Sequence, residues 1–217
     1  MHSLFSKLKS GLLAAVLFSL PVLVPGCAAP PSEEHGATLE KQIALRQTMR
    51  KLWEDHIIWT RLVIVSTAAR LPDLDATTQR LLQNQADIGD AIKPFYGDSA
   101  GTKLTALLRE HIIGAANILS AAKANDQPKL AVAKTAWYAN ADEIAAFLSG
   151  ANPSAWSPSG TQAMMKEHLD LTLAEAVDQL QGHYPESIAD YDRVHDAILE
   201  MADVFSNGII KQFPKQF

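Results

Sequence analysis

The chain has a single cysteine, Cys27, so no intrachain disulfide can form. It has no cluster of lysine and arginine of the kind that marks a nucleic-acid surface, which excludes that partner. It has no Gly-rich phosphate loop, no G-x-S-x-G elbow, no HExxH and no cysteine nucleophile beyond position 27. The familiar routes to phosphoryl transfer, serine hydrolysis and zinc proteolysis are therefore missing. Alternating β-branched runs of strand length are also missing. The nearest approach, 62–65, lies inside a longer segment of helical period.

What is present divides the 217 residues into three parts. Lys7 and Lys9 precede an apolar stretch from Gly11 to Val24 that suits the core of a signal peptide. It is broken by Pro21 and shorter than the roughly 20 apolar residues that a membrane span needs. Val24-Pro25-Gly26-Cys27 then resembles the lipobox of bacterial lipoproteins, with Pro25 unusual just before the small residue. The expectation is a signal peptide over 1–26, lipidation of Cys27 and a Pro-rich flexible tether over 27–38. Such a protein is anchored to a membrane through the lipid and faces the periplasm or the exterior. Removing Lys7 and Lys9 with the leader leaves 17 basic against 24 acidic side chains, a net charge of −7.

From residue 39 to 217 the pattern predicts one all-α domain. Prolines fall at breaks, and helices are expected near 39–70, 74–93, 100–124, 128–149, 160–181 and 187–212. Links such as Leu71-Pro72-Asp73 and Asn125-Asp126-Gln127-Pro128 are short enough to make neighbours antiparallel. The expected fold is an up-and-down helical bundle built from three repeated helical hairpins.

The repeat is visible in the residues. The first helix of each expected hairpin carries an acid beside a histidine, in Glu54-Asp55-His56, Glu110-His111 and Glu167-His168. The second helices carry Asp87, Glu143 and Asp203, lying 31, 32 and 35 residues after those histidines. His56 lies 16 residues before Pro72 and Asp87 lies 15 after it, so folding back at the turn brings them to one height. The histidines also fall on apolar stripes, such as Met49, Leu52, His56, Thr60 and Val63, which turns them inward.

Three readings of this layer stand side by side. It is a set of buried hydrogen bonds that fixes register, or the lining of an organic-ligand pocket, or a metal site. The metal site would use His56, Asp87, His111, Glu143, His168 and Asp203, with Asn84 and Asn140 orienting the carboxylates. Imidazole with carboxylate suits zinc, iron or manganese. The functional expectation is a membrane-tethered, extracytoplasmic binding protein with that site. The competing expectation is a metal-free interaction or scaffold module of the cell envelope. Thr60 and Thr172 are expected to bond back to helix carbonyls. Arg61 is expected to pair at the surface, and His195 to be incidental.

The segments WEDHIIWTR, RLLQNQADIGDAIKPFYG, LLREHIIGAA, WYANADEIAAFL and MADVFSNGIIKQFP resemble a family of bacterial all-helical proteins, some secreted and some not. Labels attached to its members, glycosyltransferase and acetylglutamate kinase among them, call for an αβ sheet or a phosphate loop that this chain does not have. The resemblance implies one compact helical domain over nearly the whole mature chain. It implies no established activity and supplies no catalytic residues.

Overall fold

Short links and apolar stripes set the architecture. The structure, a computed structural model, describes residues 32–217. The expected signal peptide and the lipidation site at Cys27 lie outside the described residues. Five helices run α1 (Ser32–Ala69), α2 (Leu74–Lys123), α3 (Gln127–Ala151), α4 (Pro158–Gln181) and α5 (Tyr184–Gln212), and a 3-10 turn follows at Pro214–Gln216. No strand occurs among the described residues. None of their helices is long and apolar enough to cross a membrane.

Local chemistry explains most boundaries. Asp126 accepts from the Lys129 amide and Ser157 from the Gly160 amide, so each caps the helix that follows it, and a proline opens each first turn. Gly182 ends α4 in the left-handed conformation, with φ 79°. α1 begins at Ser32, inside the stretch expected to be tether. Glu33 and Glu34 after the prolines are residues that favour a helix N-terminus.

α2 spans two of the expected helices and folds back at Gly97, whose φ of 84° and ψ of 167° are open to glycine almost alone. The two halves then run antiparallel. Arg109 donates to the Leu82 carbonyl at 3.3 Å. A Cβ on Gly89 would stand 2.6 Å from the Gly101 carbonyl oxygen, so the halves meet backbone to backbone.

Successive helices pack on one another, and α5 returns against α1 to close the bundle. One apolar cluster, with Ile57, Ile88, Leu108, Ile144, Leu169 and Ile198 among its members, draws on all five helices. A smaller one around Ile64, Leu81, Ile112 and Leu119 fills one end.

Candidate functional site: a buried histidine layer

The histidines converge at mid-bundle. His56 of α1, His111 of the second half of α2 and His168 of α4 are 2%, 3% and 4% exposed. The His168 ring lies 5.7 Å from that of His56 and 6.2 Å from that of His111, centre to centre. Aromatic neighbours flank the group. Trp137 stacks on His111 at 5.1 Å, and Trp53 meets His56 edge-on at 5.8 Å.

The carboxylates do not join them. Asp87 faces Arg80 at 3.6 Å, Asp203 is bound to Arg50 by two hydrogen bonds, and Glu143 is exposed. At 3.6 residues per turn the reason is geometric. Leu81, Gln85, Ile88 and Ile92 form the buried stripe of that helix, and Asp87 falls roughly 120° from its centre. Glu143 stands at the same angle to the stripe of Trp137, Ala141, Ile144 and Leu148. The acids next to the histidines face outward as well. Asp55 pairs with Lys51, and Glu54 accepts from His195 of α5 at 2.9 Å. That contact gives His195 a defined place between α1 and α5.

Amides replace the carboxylates. Asn140 donates through Nδ2 to the Leu107 carbonyl at 3.1 Å, which turns its Oδ1 toward His111 Nδ1 at 2.9 Å. Nδ1 of His111 therefore carries the proton, and the lone pair lies on Nε2. Around His56, Gln85 Nε2 donates to the Leu81 carbonyl at 2.7 Å and to Asn84 Oδ1 at 3.1 Å, and lies 3.3 Å from Nδ1 of the ring. An amide has two protons, and the two closer acceptors take them. His56 is thus held more loosely than His111. Asn84 in turn donates to the Leu52 carbonyl at 3.0 Å.

Asn84 and Asn140 thus do the same thing in successive pairs of helices: each binds the carbonyl four residues before a histidine. Neither orients a carboxylate. Gln85 is the member that sequence reasoning passed over, although a polar residue on the Leu81–Ile88–Ile92 stripe was the available signal.

His168 has no counterpart of these amides, and its buried Nδ1 has no hydrogen-bond partner. Gln85 Oε1, Trp53 Nε1 and Thr172 Oγ1 are likewise buried without one. Thr60 does bond back, to the His56 carbonyl at 2.7 Å, whereas Thr172 does not.

Burial decides the charge of the layer. It lowers His56 to about 3, with help from nearby His111, and lowers His111 to about 4. It takes His168 well below 6.5, and the other two histidines add to the shift. All three imidazoles are neutral at physiological pH, the form in which imidazole ligates a metal. Among the described residues, no group of three or more His, Cys, Asp or Glu side chains stands close enough to hold a metal ion.

Further along the same helices lies a second polar group. Arg61 Nη1 donates to Glu175 Oε1 at 2.8 Å and to Ser187 Oγ at 2.9 Å, and its guanidinium lies over the Tyr191 ring at 5.3 Å. The Glu175 side chain is 2% exposed, so this ion pair belongs to the core. Burial raises the Glu175 carboxyl above its ordinary value, and Arg61 opposes the rise.

Fold and site together define a class: an all-helical bundle with a buried, neutral histidine layer in which His111 and His56 meet amide side chains and His168 meets none. Compared with protein-family models, curated proteins and solved structures, the chain finds no match.

Proposed function

We propose that the chain is a membrane-tethered, extracytoplasmic helical-bundle binding protein whose binding centre is the histidine layer. The ligand set is His56, His111 and His168, and the guest is a divalent metal such as zinc, iron or manganese. Lipid on Cys27 supplies the tether.

One observation carries this reading. Three buried imidazoles from three helices meet in a core where the central one, His168, has a nitrogen that nothing binds. A buried polar atom left unpaired costs about 1–3 kcal/mol, which a ligand bond would offset. The rings stand wider than a bound set, and closing them asks for rotation of His168, which no hydrogen bond opposes. His111 is prepared already, its Nε2 lone pair fixed by Asn140 on the other side of the ring. The parallel bonds of Asn84 and Asn140 support duplication of a helical hairpin, with one histidine supplied by each of three copies.

A second reading keeps the layer metal-free, as a polar register mark in an envelope scaffold module. The wide ring spacing favours it. Elemental analysis of the full chain after supply of zinc, iron and manganese separates the two. Near-stoichiometric metal that is lost in a folded His111→Ala/His168→Ala variant supports the binding centre. No metal in the wild type sinks it.

A further inference from the structure

Each histidine is followed four residues later by a small or β-branched side chain: Thr60 after His56, Ala115 after His111 and Thr172 after His168. Positions four apart lie on one helix face, one above the other. All three line a single cavity of about 40 Å³, which also takes in Trp137, the ring that stacks on His111. The cavity therefore adjoins the imidazoles, with the histidine layer one helical turn away. Apart from Thr78 the rest of its wall is apolar, with Ile64 of α1 and Leu119 of α2 among its members. No charged side chain lines it.

We infer that this cavity is a binding site for a small, uncharged, apolar molecule of about the size of dioxygen. Size sets the upper bound. A cavity of about 150 Å³ is what admits benzene, and this one is far smaller. Chemistry sets the class, because a charged or strongly polar guest would give up hydration that the lining cannot replace. The Thr60 hydroxyl is already committed to the His56 carbonyl and the Thr78 hydroxyl to that of Leu74, which leaves the Thr172 hydroxyl alone without a partner, too little to replace a hydration shell. Where the histidine layer holds a metal, the guest rests beside it. Occupancy of the cavity does not itself rest on that reading.

The probe is xenon, applied to the full chain after chelator treatment and followed by methyl NMR, with benzene as the size control. The expected result is a saturable shift of the Val63, Ile64 and Leu119 methyls with xenon and none with benzene. Ala115→Val, which fills the space, loses the shift, while Thr172→Val, which keeps the volume and removes the hydroxyl, retains it. Wild-type methyls that do not respond to xenon overturn the inference, and so does benzene binding at the same methyls. The protein under test is metal-free, so failure of the metal reading leaves this result untouched. Failure here, conversely, leaves the elemental analysis to stand on its own.

Discussion

Asn140 fixes the tautomer of His111: by donating to the Leu107 carbonyl at 3.1 Å it can present only its oxygen to the imidazole Nδ1, 2.9 Å away. Asn140→Leu leaves that N–H buried and unpaired, and is expected to destabilise the fold by about 1–3 kcal/mol in urea unfolding. Asn140→Asp places a carboxylate against the ring and is expected to raise the His111 pKa. Imidazole nitrogen NMR during a pH titration reads that shift, and an unchanged pKa would contradict the assignment.

Acid should unfold the protein in a defined window. Folded, His56 titrates at about 3, His111 at about 4 and His168 well below 6.5. Unfolded, all three titrate near 6.5. Below that value the unfolded chain takes up protons that the folded chain refuses, so stability is full above about 6.5 and is lost as pH falls toward 4. His56 and His111 each contribute on the order of 3 kcal/mol across that interval, and His168 acts in the same direction. The urea midpoint is expected to drop steeply between pH 6.5 and 4, and His111→Asn to flatten the slope. A midpoint constant over the window would show the histidines are not buried as described.

Metal binding should depend on imidazoles alone. Asp87, Glu143 and Asp203 point away from the layer, so Asp87→Asn, Glu143→Gln and Asp203→Asn are each expected to leave metal content unchanged. Loss of metal from any of these folded variants would restore the carboxylates to the site.

The core ion pair gives a test by double-mutant cycle. Arg61→Met leaves Glu175 buried and unmatched, and is expected to cost about 3–5 kcal/mol. Arg61→Met with Glu175→Leu is expected to recover much of that loss. Additive losses in thermal or urea unfolding would mean that the two side chains do not act as a pair.

Gly97→Ala forces a side chain into a region of backbone space that only glycine enters freely. The expected loss is about 1–3 kcal/mol. An equilibrium stability equal to wild type would mean that the fold-back of α2 does not need this conformation.

The helices and their breaks were legible in the sequence because proline, capping residues and the 3.6-residue period act locally. The inward aim of His56, His111 and His168 was legible for the same reason: each sits on a stripe that can be read within one helix. Their partners were not. Choosing Asp87 over Gln85 turned on two positions, which on a helix is most of the way to the opposite face. Chemical habit pairs histidine with carboxylate, whereas burial at this depth favours a neutral amide over a charge. Two other features depended on tertiary placement that no local pattern encodes: the burial of the Arg61–Glu175 pair, and the link from His195 to Glu54.

The amide contacts also imply an order of assembly. Gln85 meets His56 and Asn140 meets His111, each across 29 residues and between adjacent antiparallel segments, so both close as soon as their own helices dock. His168 brings no such bond from α5, and its place depends on rings already set by the other two. The α4–α5 pair is tied to α1 by other means, Glu175 and Ser187 to Arg61, Asp203 to Arg50 and His195 to Glu54. Separating that pair from α1 breaks all of these bonds together, so the imidazoles stay covered until the whole interface gives way.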